Sequence, residues 1–302
     1  MTPKILITGV SGFLGWNLLG HLGNRFPLAG TFARHRPPLE GVTAVRLDLR
    51  DPAAPGEIFR RLNPGAVIHC AAVTSPAACL ADPGMAREVN VDGTGRIARE
   101  ARGIGARLIY VSTDRVFDGK KGNYREDDPA EPLGPYGRSK LAGEELAQRL
   151  CPGTLVLRLP LMYGPPSPFS GSFIEFMREG FLGRQPLNLF TDQYRTPLYV
   201  EDAALGIELA LELPQLSGIY HLGGPERVNR AEFGYRMAEI FGYDPGAINP
   251  VRMADQPHYP PTPPDASLDS GLFFRATGFR GRGVNEGLTA LKNRLESGSG
   301  AG

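Results

Sequence analysis

Short apolar runs alternate with helical patterns along the first half of the chain. Residues 5–7 are an unbroken apolar run, which predicts a buried strand, and a glycine-rich turn follows it. After the turn, apolar residues recur three and four positions apart, which predicts a helix. These positions are Phe13, Leu14, Leu18, Leu19 and Leu22. A strand, a turn and a helix in this order are typical of α/β proteins.

Further apolar runs predict the other strands of a parallel sheet and the helices between them. The strands are expected at residues 28–32, 42–47, 66–69, 108–111, 154–159 and 218–222. The helices are expected at about 84–103, from 136 onwards, and at 172–181, 203–213, 230–241 and 285–295, with a proline-rich loop at 255–264. This order predicts an α/β fold, a Rossmann-type doubly wound parallel sheet with a smaller C-terminal α/β substrate lobe.

Prolines and glycines after the sixth strand mark a change of composition, which predicts the main domain boundary. We expect a dinucleotide-binding domain over residues 1–162, with 198–224 returning to it. Residues 163–197 and 225–296 are then expected to form the substrate-binding lobe. The tail at 297–302 contains only Gly, Ser and Ala, and we expect it to be disordered.

The glycine-rich turn is a candidate anion site. Gly9, Gly12 and Gly15 recur at every third position, and glycine lets a backbone approach a pyrophosphate closely. The N–H groups and the dipole at the start of the following helix favour negative charge at the same place. The spacing differs from the common Gly-x-Gly-x-x-Gly fingerprint, so a turn that needs small residues for packing is the alternative.

Basic residues follow the second predicted strand, where a dinucleotide fold places the adenosine ribose. An acidic residue there binds the ribose 2′-hydroxyl, whereas a basic residue accommodates a 2′-phosphate. Arg34 and Arg36 lie at this strand end, and the first acidic residue of the chain is Glu40. The sequence therefore favours NADP(H), with NAD(H) as the alternative cofactor. The other interpretation of the two arginines is a pair of solvated loop charges.

Two further features lie near the expected cofactor. Cys70, Ala71 and Ala72 follow the fourth strand, where small residues either let a flat group lie against the backbone or serve tight packing. Asn90 lies inside the predicted helix 84–103, where asparagine has poor propensity. We expect it either on a solvated polar face or bridging backbone groups near the site.

A hydroxyl, a phenol and an ammonium group form the candidate reactive set. Thr113 follows the fifth strand, at the sheet edge where open α/β sheets bind ligands. Tyr136 and Lys140 are four residues apart in one predicted helix, which places them on the same face. The lysine charge is expected to lower the pKa of the phenol towards the range that general acid catalysis needs. An aromatic ring resting on an aliphatic stem is the alternative for this pair.

Composition narrows the function classes. The 302 residues are 41% hydrophobic and carry a net charge of +1, so the charge gives no sign of a nucleic-acid or membrane surface. Apolar runs fall short of the ~18 residues of a membrane span, and residues 5–7 are too short for the apolar core of a signal peptide. The three cysteines lack metal-ligand spacing. We expect a reduced, cytoplasmic protein.

The chain resembles the extended short-chain dehydrogenase/reductases over almost its whole length. The matching motifs are the glycine turn, Asp48-Leu49, Cys70-Ala71-Ala72, Asn90 and the set Thr113, Tyr136 and Lys140. Residues 112–119 and 136–144 are similar to the dTDP-4-dehydrorhamnose reductase branch of that family. The resemblance implies that Thr113, Tyr136 and Lys140 are catalytic. It implies a cofactor lying against Gly9, Ser11, Gly12, Phe13, Leu14, Gly15, Arg34, Asp48, Leu49, Cys70, Ala71, Ala72, Asn90, Tyr136 and Lys140.

Departures from the branch pattern limit the choice of substrate and partner. Arg115 replaces the tyrosine usual in the strand motif, and Leu198 stands where threonine is usual. Asn17 stands where some rhamnose-pathway reductases have a glutamate for metal-linked dimers, so no metal is expected and a homodimer is left open. Residues 195–197 and 218–226 also resemble the regulatory β subunit of methionine adenosyltransferase, a cofactor-binding relative that serves a partner enzyme.

These features lead to one expected activity and two alternatives. We expect an NADPH-dependent reductase of a nucleotide-activated 4-keto-sugar, with Thr74, Thr113 and Arg195 contacting the substrate. Arg195 is the candidate for the diphosphate because a guanidinium fork matches phosphate oxygens, and a surface charge is its other interpretation. A nucleotide-sugar epimerase or dehydratase with bound NAD is the first alternative. A non-catalytic, cofactor-binding regulatory subunit is the second.

Overall fold

The computed structural model describes residues 3–38, 41–169, 171–183, 186–256 and 260–298. Its strands are β1 (Ile5–Thr8), β2 (Leu28–Phe32), β3 (Thr43–Arg46), β4 (Ala66–His69), β5 (Arg107–Thr113), β6 (Leu155–Leu159), β7 (Met162–Tyr163), β8 (Leu187–Phe190), β9 (Tyr194–Arg195), β10 (Leu198–Tyr199), β11 (Gly218–His221), β12 (Val228–Asn229) and β13 (Ile248–Val251). Its α-helices are α1 (Phe13–Leu22), α2 (Ala54–Leu62), α3 (Pro76–Ala81), α4 (Pro83–Arg87), α5 (Thr94–Gly103), α6 (Pro135–Leu150), α7 (Phe173–Leu182), α8 (Val200–Glu212), α9 (Arg230–Phe241), α10 (Gly271–Thr277) and α11 (Val284–Gly298).

The centre of the fold is a seven-stranded sheet in the order β3-β2-β1-β4-β5-β6-β11. Every pair of neighbouring strands in it is parallel. The chain order reverses between β1 and β4, and the crevice at such a switch point is where doubly wound sheets bind ligands. The predicted doubly wound α/β fold is therefore confirmed, with β11 added at the edge next to β6.

Burial explains why the strands were recognisable in the sequence. Every residue of β1, β4 and β6 is buried, because helices cover both faces of a parallel sheet. The predicted strand at 66–69 and the predicted helix at 230–241 match β4 and α9 at both ends. α9 has clear boundaries, since Asn229 and Glu232 form a capping box and Gly242 ends the helix in the left-handed conformation.

The predicted continuous helix over 84–103 is wrong in detail. It consists of α4, a π-helical segment at Glu88–Gly93 and α5. Asn90 lies in the π-helical segment and is fully buried, where its side chain hydrogen-bonds the backbone of Val73 and the hydroxyl of Ser139. A local π turn of this kind is frequent at functional sites.

The last helix reaches two residues into the segment 297–302, for which disorder is expected. α11 continues to Gly298, and the Ser297 hydroxyl donates hydrogen bonds to the carbonyls of Asn293 and Arg294 one turn earlier. Ser297 and Gly298 are therefore part of α11. Residues 299–302, like Glu40 and residues 257–259 of the predicted loop, lie outside the described residues.

Separate apolar clusters support the two halves of the chain. One cluster packs α1 and α8 on one face of the sheet, and another packs α2 and α5 on the opposite face. A third cluster joins α7, α9 and α11 around β8 and β13. None of the described helices combines the length and the apolar character needed to cross a membrane.

Candidate active site

The glycine turn connects β1 to α1 through positions that exclude larger side chains. Gly9 has φ +75°, and a Cβ there would lie 2.9 Å from the Ala71 Cα. A Cβ on Gly15 would lie 2.4 Å from the Gly9 carbonyl oxygen, so the start of α1 packs directly on the turn. Small residues are therefore needed for packing, and the same packing brings the backbone of the turn to the sheet edge.

The N-terminus of α1 is open to an anion. Gly12 is its N-cap and offers no side-chain acceptor, and the first turn contains no acidic residue. The first helical hydrogen bond runs from Trp16 to Gly12, so the N–H groups of Phe13 and Leu14 precede the helical ladder. Ser11 lies in the turn, and its carbonyl accepts a hydrogen bond of 3.1 Å from the Ser167 hydroxyl. This arrangement suits the pyrophosphate of a dinucleotide.

The two predicted cofactor contacts at the ends of β2 and β3 differ in their surroundings. Arg34 follows β2 and is exposed. Asp48 follows β3, and its carboxylate accepts hydrogen bonds of 3.0 and 2.6 Å from the Arg50 side chain, which together with the Arg50 N–H lowers the pKa of Asp48 to about 2. Leu49 beside it is buried. A solvent-exposed cation and an ionised carboxylate thus lie at the ends of neighbouring strands.

A buried polar network joins the ends of β1 and β4. The Thr8 hydroxyl lies 2.7 Å from His69 Nδ1 and accepts a hydrogen bond from the Ala71 N–H. His69 Nε2 lies 3.1 Å from the Thr94 hydroxyl, which donates to the Asn90 carbonyl. Burial lowers the pKa of His69 to about 3, so this imidazole is neutral. The network fixes the π-helical segment against the loop after β4.

The small residues after β4 hold the loop close to the glycine turn. Cys70, Ala71 and Ala72 are partly buried, and burial raises the pKa of the Cys70 thiol to about 12. Asn90 donates to the Val73 carbonyl at 3.0 Å and accepts from the Val73 N–H at 2.8 Å. Of the two interpretations of Asn90, the structure supports the one in which it bridges backbone groups. Thr74, the next residue, is exposed.

Thr113 and Tyr136 meet at the carboxyl end of β5. The Thr113 hydroxyl lies close enough to the Tyr136 phenol to lower its pKa, and it donates a hydrogen bond of 3.1 Å to the Asp114 carboxylate. Burial raises the pKa of Tyr136 to about 12, and this effect outweighs the Arg115 charge and the Thr113 hydroxyl, which both lower it. The expected net decrease in the phenol pKa is therefore wrong for the protein alone, because desolvation of the phenol dominates.

Lys140 lies one turn after Tyr136 in α6 and is almost completely buried. Its Nζ donates a hydrogen bond of 2.7 Å to the Val111 carbonyl and lies 4.0 Å from the centre of the Tyr110 ring. Burial lowers the pKa of Lys140 to about 7, partly opposed by the negative charge of Glu144. The cation that acts on the Tyr136 phenol is Arg115, whereas Lys140 faces the sheet.

Arg195 does not occupy the position expected of a diphosphate ligand. The residue is 2% exposed, and its Nε lies 3.0 Å from Asp114 Oδ2. Its guanidinium also donates to the carbonyls of Tyr194, Pro263 and Pro264. The predicted contact between Arg195 and the substrate is therefore wrong, because the Asp114 carboxylate and two carbonyls of the proline-rich segment already bind its guanidinium.

A small cavity opens beside Tyr136 and includes a residue that sequence reasoning did not place in the site. Its lining combines Arg115, the start of α6, α3 and the proline-rich segment, namely Pro76, Leu80, Arg115, Gly134, Pro135, Tyr136, Gly137, Pro260, Pro261 and Pro263. The signal for Arg115 was present, because it departs from the tyrosine usual in the strand motif. In the described part of the chain, no group of three or more His, Cys, Asp and Glu side chains could hold a metal ion.

Comparison with known sequences places the chain among two kinds of relatives. It matches the family described as RmlD substrate binding domain over residues 3–297. It is 34% identical to methionine adenosyltransferase 2 subunit beta of Xenopus tropicalis over 270 residues, which cover 84% of this chain and 76% of the relative. It is 31% identical to dTDP-4-dehydrorhamnose reductase of Mycobacterium tuberculosis over 274 residues, which cover 89% of this chain and 86% of the relative.

A solved structure of dTDP-4-dehydrorhamnose reductase from Bacillus anthracis in complex with NADP shares the fold. Its TM-score is 0.84 at 24% identity, and the match covers 97% of this chain and 100% of that chain. The predicted class, an NAD(P)-dependent oxidoreductase of the extended short-chain type, agrees with this family and with the relative from Mycobacterium tuberculosis. The match over residues 3–297 shows that the chain belongs to the RmlD substrate binding domain family, in the dTDP-4-dehydrorhamnose reductase-like branch that its motifs predicted.

Proposed function

We propose that the protein is an NADPH-dependent reductase of a nucleotide-activated 4-keto-sugar. The observation that carries this proposal is the position of the Thr113 hydroxyl beside the Tyr136 phenol, where the end of β5 meets the start of α6. Two neighbouring hydroxyl groups at this edge can hold one carbonyl oxygen of a substrate. Lys140 lies one helical turn away, and the glycine turn lies at the neighbouring switch point of the sheet.

The residues present suit NADP(H), with NAD(H) as the second choice. The uncapped start of α1 and the close approach at Gly9 and Gly15 would hold the pyrophosphate. The exposed Arg34 would hold the 2′-phosphate. Because NAD lacks this phosphate, Arg34 also favours the reductase over an epimerase or dehydratase with bound NAD. Bound NADPH would supply a hydride to the carbonyl carbon.

Tyr136 would supply the proton that accompanies the hydride. Its pKa of about 12 keeps the phenol protonated at neutral pH, so it can act as a general acid towards the carbonyl oxygen. The positive charge of Arg115 and the nearby hydroxyl of Thr113 lower the pKa of the phenol, and both therefore stabilise the phenolate that remains after proton transfer. This assignment gives Tyr136 the role of proton donor and Thr113 that of oxyanion partner.

We also propose the division of labour between the two halves of the chain. Residues 1–162 with 198–224 would bind the dinucleotide, and residues 163–197 with 225–296 would cover the strand ends and bind the sugar nucleotide. β11 lies in the central sheet, whereas α7, α9 and α11 share a separate apolar cluster, which supports this division.

The thiols Cys70, Cys79 and Cys151 are free, in keeping with a cytoplasmic location, and a homodimer is left open.

The test is NADPH oxidation against a panel of dTDP-, GDP- and UDP-linked 4-keto-sugars. We expect consumption with one of them and a decrease in turnover of about 10²–10⁴ for Tyr136→Phe, the range for loss of a general acid. Tyr235→Phe is the matched control, because Tyr235 is 44% exposed on α9. Unchanged turnover in Tyr136→Phe would remove the phenol from the mechanism.

A second candidate is a cofactor-binding regulatory subunit. The 34% identity to methionine adenosyltransferase 2 subunit beta favours it. This candidate predicts that NADPH binds without being oxidised by any member of the panel. It also predicts that the protein changes the kinetics of a methionine adenosyltransferase when the two are mixed.

A further inference from the structure

Arg115 has an unusual setting for a cation next to the candidate catalytic phenol. It lies two residues after Thr113, in the short 3-10 turn Asp114–Val116, and its side chain lines the cavity that contains Tyr136. The residue is half-buried. Of the ten described residues that line this cavity, it is the one with a charged side chain.

The described residues provide few hydrogen-bond partners and no carboxylate for the guanidinium of Arg115. Its Nη1 donates a hydrogen bond of 3.3 Å to the Thr262 hydroxyl, and that hydroxyl itself donates to the Pro260 carbonyl. Within the described part of the chain, no Asp or Glu oxygen lies within 4.0 Å of the Arg115 guanidinium nitrogens.

Other arginines show how carboxylates or several backbone carbonyls hold a guanidinium in this protein, although Arg107 Nε and Arg158 Nη1 are buried without a hydrogen-bond partner. Arg158 pairs with Glu144 at 2.7 Å, and Arg195 pairs with Asp114 at 3.0 Å. Arg107 lacks a carboxylate, but its side chain donates to four backbone carbonyls at the end of α8 and beyond, those of Ala210, Leu211, Leu213 and Leu216. In the described part of the chain, Arg115 forms one side-chain hydrogen bond and no ion pair, so its remaining N–H donors are available to a ligand.

The backbone holds Arg115 and Tyr136 in a fixed relation. A Cβ on Gly137 would lie 2.1 Å from the Arg115 carbonyl oxygen, so the first turn of α6 rests on the Arg115 backbone. Asp114 is anchored by Arg195, which also holds the carbonyls of Pro263 and Pro264. The wall of the cavity is thus tied to the same strand end that carries Thr113.

We propose that Arg115 is a specificity-determining residue that binds an anionic group of the sugar-nucleotide substrate, near the carbonyl held by Thr113 and Tyr136. This inference rests on the proposed function, because it concerns the same site. A carboxylate or a phosphate matches the guanidinium fork with two parallel hydrogen bonds. The anion is either a carboxylate on the sugar ring or the diphosphate, and a pair of ligands that differ in one group separates these sources.

UDP-glucuronic acid and UDP-glucose are such a pair, since a carboxylate in the first replaces a hydroxymethyl group in the second. Their affinities for the full chain with saturating NADP⁺ are measured by calorimetry, for the wild type, Arg115→Gln and Arg115→Lys. Arg138→Gln is the matched control, because Arg138 is exposed on the same helix as Tyr136. Urea unfolding of each variant verifies that the substitution leaves the fold intact.

A sugar carboxylate predicts that the wild type prefers UDP-glucuronic acid by about tenfold or more, which corresponds to ~1.4 kcal/mol. Arg115→Gln then loses this preference and Arg115→Lys retains part of it. An equal loss for both ligands in Arg115→Gln supports the diphosphate as the anion. The proposal is overturned if Arg115→Gln behaves like Arg138→Gln, or if the wild type binds neither ligand. NADPH oxidation in the sugar panel tests the proposed function separately, because it does not depend on this pair.

Discussion

Two glycines of α1 allow the effect of packing at the glycine turn on the free energy of unfolding to be measured separately. Gly15 and Gly20 lie in the same helix, and each can be replaced by alanine. A Cβ on Gly15 would lie 2.4 Å from the Gly9 carbonyl oxygen and 2.9 Å from the Val10 Cα, which are backbone atoms. A Cβ on Gly20 meets no atom within 4 Å. The two variants therefore add the same methyl group to one crowded and one open position.

The expected magnitude follows from two terms. Alanine gains about 0.8–1.0 kcal/mol over glycine in a helix interior, and this gain applies to both positions. At Gly15 the backbone must also separate by about 0.9 Å to reach the ~3.3 Å of a C···O contact, and overpacking of this kind costs about 1–3 kcal/mol. Gly20→Ala should raise the free energy of unfolding, and Gly15→Ala should be less stable than Gly20→Ala by about 1–3 kcal/mol.

Urea unfolding followed by circular dichroism measures both free energies, and the NADPH affinity of each variant is obtained from nucleotide fluorescence. We expect Gly20→Ala to bind NADPH like the wild type. Gly15→Ala should bind it more weakly, because the start of α1 has moved away from the turn. Equal stabilities of the two variants would refute the packing argument. Equal NADPH affinities would instead refute the assignment of this turn to the cofactor.

Three further predictions concern charge. Arg34→Ala should weaken NADPH binding while leaving NADH binding unchanged, since the exposed guanidinium is assigned to the 2′-phosphate; parallel titrations with the two nucleotides test this. Arg195→Ala should lower the free energy of unfolding by about 3–5 kcal/mol, because it leaves the Asp114 carboxylate buried and unpaired. Arg227→Ala removes an exposed pair with Asp265 and should change the free energy of unfolding by less than ~1 kcal/mol in the same urea experiment. Burial lowers the pKa values of His69 and His221 from 6.5 to about 3, so the unfolded chain binds more protons than the folded chain between these pH values. The free energy of unfolding should therefore fall with decreasing pH by up to about 1.4 kcal/mol per pH unit for each imidazole. A flat profile between pH 6.5 and 4 would contradict their neutral, buried state.

The fold was predictable because its elements follow local rules. Strands buried on both faces are mostly apolar, so β1 and β4 are visible as apolar runs, each of which ends in one buried polar residue. The helix over 84–103 shows the limit of such rules. The π-helical turn at Asn90 depends on Val73 and Ser139, which are 17 and 49 residues away, and local propensity carries no information about these contacts.

The candidate catalytic set was predictable in its identity but not in its electrostatics. Spacing in α6 places Tyr136 and Lys140 on one helix face. Spacing does not reveal that the Lys140 ammonium turns to the Val111 carbonyl and the Tyr110 ring, nor that burial raises the phenol pKa. Desolvation depends on what the other elements cover, and it changes the sign of the expected shift.

The two arginines of the site show why a residue's role follows from its partner. Arg195 and Asp114 are 81 positions apart in sequence, and the sheet brings them within 3.0 Å, so the arginine that seemed suited to a phosphate is neutralised inside the fold. Arg115 is next to Asp114 in the chain, yet that carboxylate pairs with Arg195 rather than with Arg115. Because the Asp114 carboxylate pairs with the distant Arg195, it does not neutralise the positive charge of the adjacent Arg115 at the cavity wall. A substitution that released Asp114 from Arg195 should therefore alter substrate selection as well as stability.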